Sequence, residues 1–537
     1  MKTYIKFIAI VLIGISAIAC QDLTELNVDP NKAATVSTAA LLTGSQKKMM
    51  DYVYDNWFSG RQALPYAQYW CQNKYTEEDR YQIRESVNNN YFNYFYTVAG
   101  NYNNIELMNT DPVTKVAARI YGDNNNQIAV AKILKVWLMQ IMADTWGSIP
   151  YSEAFKLKEG VNYPKYDDLT ELYPALITEL NTAIALINPD TIAFKSGDVI
   201  YNGDAAKWKM FANSLKCRFA IRLSKVDSNW KTYISQAIAS GVFTSNADEA
   251  MFKYINTAPN ECYFYRGFIT DARNDFSITK PFTDLLKGQR DTLNNKQHPW
   301  EGVIDPRLAI YTSSKAGKYL GLPYGLTSAQ MDAPIFAASP NWVTAPPVTL
   351  NKDFSVPLMT YAELCFIMSE YNNFDKTWYE NGIRASLVHW SDLNKAPLSE
   401  ATITAYISSV NSVVNAETVA TQKYIHLYMQ GTEGWSEYRR TGYPNTLLKP
   451  GENSYFKAAV PATETKEAIP ATTFKFTVIS DTKSDLPARV KYPTNESTLN
   501  PAGFKSAVAK LTDATNNYYS KLYWDVRTVA VPHPANK

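Results

Sequence analysis

The feature that most constrains the fold is a run of closely spaced amphipathic segments in the C-terminal half of the chain. Apolar residues recur at helical spacing over residues 359–372, 379–390, 399–414 and 418–438. Such spacing places the apolar side chains on one stripe of a helix, and that stripe must pack against a neighbour. Short connections make consecutive helices antiparallel neighbours. The pattern therefore predicts helical hairpins packed side by side.

The N-terminal half repeats this pattern. Helices are predicted over residues 38–57, 127–144 and 167–187, and Pro174 is expected to kink or split the third. Asp204 is predicted to cap a further helix, whose basic residues should form mostly a solvated face. These basic residues are Lys207, Lys209, Lys216, Arg218 and Arg222. We predict a mainly α fold, a superhelix of tetratricopeptide-like helical hairpins, although the consensus spacing of that repeat is absent.

A long irregular region separates the two sets of helices. Residues 250–356 are rich in Gly, Pro, Asn and aromatic residues. A loop-rich region of this length is usually either functional or disordered, and its tryptophans and short strand-like runs favour an ordered, functional region. Because packed hairpins bury one continuous core, we predict a single domain over residues 35–537. The loop-rich insertion is expected to form its ligand side.

The N-terminus predicts export. Residues 1–19 have the plan of a signal peptide, with two lysines, an apolar run too short to span a bilayer, and small residues. Cys20 follows directly, as bacterial lipoprotein processing requires, so we expect Cys20 to be acylated and residues 20–34 to form a lipidated tether. Ala17 stands where leucine is usual in such sites. Residues 17–19 also form an A-x-A site, whose cleavage would instead release a soluble periplasmic protein.

Composition narrows the class of ligand. A net charge of +2 argues against nucleic acid as a partner, because phosphate binding needs a concentrated basic surface. The chain has 37 tyrosines and 12 tryptophans, more than core packing needs. These side chains suit recognition surfaces because each combines a flat apolar body with a polar tip. With only 19% charged residues, the composition favours neutral ligands rich in hydroxyl or amide groups.

Four aromatic residues outside clear helical stripes are the candidate ligand-binding residues. They are Trp70, Tyr75, Trp300 and Trp342. An aromatic face can stack on the apolar face of a sugar ring or on a peptide side chain, while nearby polar groups bind hydroxyls or amides. The alternative is that each residue simply pins a long loop to the helical core.

Catalytic and metal-binding motifs are absent from the sequence. The four histidines are isolated, and the chain contains no HExxH, GxSxG, Walker A or GxGxxG pattern. Two carboxylates could flank a glycosidic bond, but no pair stands out. We therefore predict a binding protein with no cofactor and no metal site. Cys217 and Cys365 are expected to be buried thiols. The sequence allows a disulfide between Cys71 and Cys262 and does not decide whether it forms.

Several sequence blocks resemble one known family. The blocks are residues 27–31, 144–154, 360–364, 379–383, 422–425, 434–444, 487–489 and 492–496. In these blocks the chain resembles the SusD/RagB nutrient-binding outer-membrane lipoproteins of the Bacteroidota. It is most similar to the SusD-like branch that carries an Arg-Arg-Thr-Gly-Tyr-Pro block, here residues 439–444.

The resemblance implies a fold, a partner and a function. It implies tetratricopeptide-like helical pairs, and a SusC-like TonB-dependent transporter over which the lipoprotein sits as a hinged lid at the cell exterior. The lid would capture oligosaccharides or peptides and needs no catalytic residue. Arg439 and Arg440 are expected to hold the helical core or the partner face rather than a ligand. The alternatives are a surface glycoside hydrolase or peptidase, and a structural lid without its own ligand.

Overall fold

The computed structural model describes most of the chain. The described residues are 36–273, 275–314, 317–331, 351–463 and 467–527. The predicted signal peptide, Cys20 and the tether lie outside the described residues, and so does Trp342.

The longer described helices confirm the mainly α prediction. They are α1 (Thr38–Val53), α2 (Glu85–Thr110), α3 (Asn124–Trp146), α4 (Leu169–Leu186), α5 (Ala205–Arg222), α6 (Trp230–Ser240), α7 (Tyr361–Tyr371), α8 (Lys376–Leu393), α9 (Glu400–Val410), α10 (Ala416–His426), α11 (Gly431–Thr441) and α12 (Pro501–Ala509). Asp204 caps α5 as predicted, since its side chain accepts a hydrogen bond from the Lys207 amide. Ser37 and Asp123 cap α1 and α3 in the same way.

The helices pack in chain order. From α1 to α6, each helix packs on the next, and α7 packs on α8, α8 on α9, and α10 on α11. Helix α7 also packs on α5 and α10, which joins the two helical regions across the insertion. Most buried apolar side chains form one continuous cluster that extends along the chain from Ala39 to Trp524, and Leu326 and Phe474 form a small second one.

Short strands connect the loops to this helical body. The described strands are β1 (Trp70–Gln72), β2 (Ile149–Pro150), β3 (Tyr166–Asp167), β4 (Ala250–Phe252), β5 (Phe276–Ile278), β6 (Val356–Met359), β7 (Asn453–Lys457) and β8 (Thr472–Lys475). They form antiparallel pairs: β1 with β5, β2 with β3, β4 with β6, and β7 with β8. The β1–β5 pair matters for the site, because it joins the segment after α1 to the insertion.

Two helix predictions are wrong. Residues 418–438 were expected to form one helix but form α10 and α11: the first ends at His426, and Met429 in the connecting turn adopts a left-handed φ of 68°, which a helix does not allow. Helix α4 runs without interruption through Pro174, which was expected to kink or split it. Thr170, whose carbonyl loses its helical partner at this proline, lies on the exposed face of α4, where water can replace the hydrogen bond.

The basic face predicted for α5 is partly buried. Arg218 pairs with Glu363 on α7 at 2.6 Å, and Arg222 pairs with Asp144 on α3 at 3.1 Å. Arg222 also contacts Glu433. The prediction of a solvated face is therefore wrong for these arginines, since buried charges persist when carboxylates from neighbouring helices pair with them.

Arg439 and Arg440 hold the helical core, as the resemblance implied. The Arg439 guanidinium lies 3.5 Å from the centre of the Trp435 ring and donates to the Asp144 and Ala488 carbonyls. Arg440 pairs with Glu370 and Glu437, and both arginines are fully buried. The Arg-Arg pair of the sequence block therefore joins helices and loops, and it is inaccessible to a ligand.

The cysteines of the described residues are buried free thiols. This confirms the prediction for Cys217 and Cys365, and it shows Cys71 and Cys262 unbridged in this structure. No helix within the described part of the chain is both long and apolar enough to cross a membrane.

Candidate functional site

Trp70 lies in the core. Its indole ring is fully buried and lies 5.4–5.6 Å, between ring centres, from Phe264, Phe268 and Phe276 of the insertion. Its Nε1–H donates to the Tyr428 hydroxyl at 3.1 Å. Trp70 therefore pins the insertion to the helical body, which was the alternative considered for it.

Trp300 is also buried, but against a different part of the helical body. Its side chain is buried, and its Nε1–H donates to the Val410 carbonyl at the end of α9 at 3.1 Å. Tyr75 differs, since half of it (50%) is exposed. Among the described candidates, only Tyr75 offers a ligand an open aromatic surface.

Tyr75 belongs to a cluster of arginines around Trp57. The guanidinium carbons of Arg61, Arg84 and Arg273 lie 4.9, 5.8 and 5.7 Å from the centre of the Trp57 ring. Arg61 and Arg84 are also each 6.0 Å from the Tyr75 ring. We call these five residues the Trp57 cluster. It combines the segment after α1 with Arg273 of the insertion, which the β1–β5 pair brings alongside.

Asp55 holds the chain that carries Trp57. One carboxylate oxygen accepts the amide N–H groups of Trp57, Phe58 and Ser59 at 3.0, 2.7 and 3.3 Å. The other oxygen accepts the Tyr91 hydroxyl. Burial raises the pKa of Asp55 to about 7, an effect that these hydrogen bonds oppose. Trp57 is therefore presented by a turn that α1 and α2 hold together.

A cavity opens beside Trp57. Its volume is about 260 Å³, and its lining residues are Asn56, Trp57, Tyr263, Gly267, Asp271 and Arg273. A smaller hollow, lined in part by Arg61, Gln62 and Arg84, also borders Trp57. Trp57 therefore lies where two adjacent hollows meet.

Asn56 is the most informative polar group of the cavity. Its side chain is buried, yet neither its Nδ2 nor its Oδ1 hydrogen-bonds any described residue. A buried amide without partners costs free energy unless water or a ligand satisfies it. Gly267 makes room for it, because a Cβ at that position would lie 1.8 Å from Asn56 Nδ2. The geometry suits an amide that bonds a ligand hydroxyl, carbonyl or water.

Tyrosines extend the aromatic surface away from Trp57. The Tyr52 and Tyr94 rings stack with centres 4.7 Å apart and planes within 17°. Burial raises the pKa of Tyr52, and the neighbouring Tyr94 and Tyr263 hydroxyls raise it further. Tyr263 also lines the cavity, so it lies near both the tyrosine stack and Trp57.

Sequence analysis missed Trp57 because it was assigned to the buried stripe of a helix over 38–57. Helix α1 instead ends at Val53, which places Trp57 in the turn that follows. The available signal was Asp55, a residue type that favours turns and caps over helix interiors. Tyr75 was predicted, whereas Arg273 and the other cavity residues of the insertion are more than two hundred residues from Trp57 and carry no local signal.

The lining of the cavity includes one carboxyl group, Asp271, which lies 4.0 Å from Arg266. Across the described residues, no set of three or more His, Cys, Asp and Glu side chains is placed to hold a metal ion. His389 bonds Glu249, and His426 bonds Thr360 and Ser386, so both are buried structural partners. What the Trp57 cluster and its cavity can do chemically is stack on a ligand and hydrogen-bond it.

Residues 30–470 match a family model, SusD-like, whose description is "Starch-binding associating with outer membrane". The chain belongs to the SusD-like family. The sequence matches none of the curated proteins with which it was compared.

Solved structures support the same fold. A SusD homologue from Parabacteroides distasonis superposes with a TM-score of 0.72 at 20% identity, covering 91% of this chain and 98% of its own. A chitin-binding SusD homologue from Flavobacterium johnsoniae gives 0.69 at 21% identity, with 91% and 99% covered. Another chitin-binding protein gives 0.71 at 23% identity, with 91% and 100% covered. These likenesses confirm the SusD-like, tetratricopeptide-like helical architecture.

Proposed function

We propose that this SusD-like protein is a cell-surface glycan-binding lipoprotein whose ligand site is the Trp57 cluster with its adjoining cavity. The observation that carries the proposal is a partly buried tryptophan at the cavity wall, beside a buried amide, Asn56, that lacks any partner among the described residues. The description of the family as starch-binding and the two similar structures that are chitin-binding proteins support a glycan as the ligand.

The site suits a sugar for two physical reasons. The C–H faces of a pyranose ring are apolar and can stack on Trp57 or Tyr75, while the ring hydroxyls need directional partners at the edge. Asn56 provides both a donor and an acceptor at the wall of the cavity. A cavity of about 260 Å³ has room for about one sugar ring, so a longer oligosaccharide would extend over the tyrosines.

The proposal includes an anchor and a partner. Lipid on Cys20 would tie the protein to the outer membrane, facing the cell exterior, and residues 20–34 would give it slack to move as a lid. A SusC-like TonB-dependent transporter would take up the captured oligosaccharide. A receptor that hands over its cargo must also release it, so we expect dissociation constants of roughly micromolar to millimolar.

The test is a binding measurement on Trp57→Ala. We expect titration calorimetry with a panel of oligosaccharides to show at least about tenfold weaker binding. The substitution removes the stacking surface and also the ring against which the arginines are positioned. Trp230→Ala is the matched control, since Trp230 is also half-buried but lies on α6 against Tyr371, away from the Trp57 cluster.

Other results have clear meanings. Unchanged glycan binding by Trp57→Ala would refute this location for the site. Binding of peptides but no oligosaccharide would replace the glycan with a peptide ligand at the same surface. Release of new reducing ends from bound glycans would favour a hydrolase, and an absence of any ligand would favour a structural lid.

A further inference from the structure

The Trp57 cluster has more cations than carboxylates. Arg61, Arg84 and Arg273 share two acidic partners, Glu78 and Asp275. The distances that follow join a guanidinium nitrogen to a carboxylate oxygen. Arg61 lies 3.0 Å from Asp275 and 3.7 Å from Glu78. Arg84 lies 2.5 Å from Glu78, and Arg273 lies 3.7 Å from Asp275. Three guanidinium groups against two carboxylates leave one positive charge in excess.

Three other acidic groups lie near the site, and below about pH 7 they do not cancel this charge. Burial raises the pKa of Asp55 to about 7, so below that pH its neutral form predominates. Burial raises the pKa of Asp79 well above its usual value, which favours its neutral form. Asp271, at the cavity wall, lies 4.0 Å from Arg266, so this pair adds no net charge. The excess positive charge therefore remains with the Trp57 cluster.

The excess charge is on its two exposed arginines. The Arg61 side chain is only 4% exposed, whereas the Arg84 and Arg273 side chains are 41% and 45% exposed. Arg84 bonds Glu78 through Nε, so its two terminal amino groups have no hydrogen-bond partner among the described residues. Arg273 is too far from Asp275 for a hydrogen bond. Both guanidinium groups keep donors for an anion.

We propose that the Trp57 cluster binds an acidic glycan, in which a carboxylate or sulfate group pairs with Arg84 and Arg273 while the sugar ring stacks on Trp57. The planar guanidinium donates two parallel hydrogen bonds to such an anion, which gives orientation as well as attraction. This inference rests on the proposed glycan-binding function. It replaces the neutral ligand that composition favoured, because a net charge of +2 averages over 537 residues and hides a local excess.

The experiment compares matched ligand pairs on the full mature protein. One pair is oligogalacturonate and its methyl ester, in which a methyl group on each carboxyl removes the negative charge. The second is a chondroitin sulfate oligosaccharide and its desulfated form, which distinguishes sulfate from carboxylate. We expect one charged member to bind at least about tenfold more tightly than its counterpart, and its affinity to fall when salt screens the exposed arginines.

The variant Arg84→Gln/Arg273→Gln tests the residues. It should lose the preference for the charged member while keeping the affinity for the methyl ester, which has no anionic group, within about twofold. Arg384→Gln is the matched control, since its side chain is also 41% exposed and ion-paired, with Glu400, but lies on α8. Melting temperatures of all three proteins check that folding is retained.

The outcomes separate the two proposals. If neutral glycans bind, Trp57→Ala weakens them, and neither charged ligand is preferred, the acidic specificity is refuted while the glycan site stands. A charge preference that survives in the double variant would also refute the role of these arginines. If no glycan binds at all, both proposals fail.

Discussion

Replacing Trp70 with alanine tests whether this tryptophan belongs to the core or to the ligand site. The substitution leaves a cavity among Phe264, Phe268 and Phe276, three rings that tie the insertion to the body. Removing a fully buried aromatic side chain typically costs about 3–5 kcal/mol of unfolding free energy. The Tyr428 hydroxyl would lose the indole donor, but it also donates to the Tyr311 carbonyl at 3.4 Å, so it keeps one partner.

This cost converts to a measurable shift in melting temperature. Globular proteins gain about 2.1 cal/mol/K of unfolding entropy per residue, which amounts to about 1 kcal/mol/K for a chain of 537 residues. Trp70→Ala should therefore lower the melting temperature by about 3–5 °C in scanning calorimetry. Trp57→Ala should lower it less than Trp70→Ala does, because Trp57 is only partly buried whereas Trp70 is fully buried.

Glycan binding should show the opposite order. In titration calorimetry, folded Trp70→Ala should bind nearly as the wild type does, whereas Trp57→Ala should bind weakly. A Trp70→Ala protein with an unchanged melting temperature and lost binding would refute the assignment of Trp70 to the core. It would restore Trp70 as a ligand contact, as the sequence analysis allowed.

Two further substitutions test the local physics of the site and the core. Asp55→Asn should flatten the pH dependence of the unfolding free energy between about pH 4 and 7, measured by urea unfolding. The pKa of Asp55 is raised to about 7 in the folded protein, so over this range the folded state holds a proton that the unfolded state has released. In the wild type, the stabilisation present at low pH is therefore lost as the pH rises through this range. A wild-type stability that rises over this range and is unaltered by Asp55→Asn would contradict this. Gly434→Ala should destabilise the protein by about 1–3 kcal/mol, because its Cβ would lie 2.4 Å from the buried Tyr69 hydroxyl. Gly44→Ala is its control, since Gly44 is exposed on α1 and nothing lies within 4 Å of its added Cβ, so it should be neutral or stabilising by up to about 1 kcal/mol. Equal effects of the two glycine substitutions would refute the packing argument.

The helices were largely predictable because helix formation depends on neighbours in the chain. Apolar residues at helical spacing identified α5, and its cap at Asp204 was assigned correctly. The same reasoning failed at Met429, where a left-handed residue divides one predicted helix into two. That break lets Gly431 and Gly434 pack closely against Ala63 and Tyr69. The spacing of apolar residues along the sequence gives no sign of these contacts.

Side-chain environments were the part that periodicity could not predict. Arg218 and Arg222 lie beside an apolar stripe and were assigned to solvent, yet their partners Glu363 and Asp144 come from helices distant in the chain. Trp70 shows the same limit. Its position in a loop suggested exposure, but pairing of β1 with β5 encloses it among phenylalanines of the insertion.

The sequence by itself determined a helical class and a family, because both depend on residue types at fixed spacing and on short motifs such as residues 434–444. It also identified Tyr75 and the insertion as parts of a candidate recognition surface. Only the tertiary structure decided which aromatic residues face solvent. Trp57, Asn56 and Arg273 form one site because strand pairing and the end of α1 bring together segments more than two hundred residues apart.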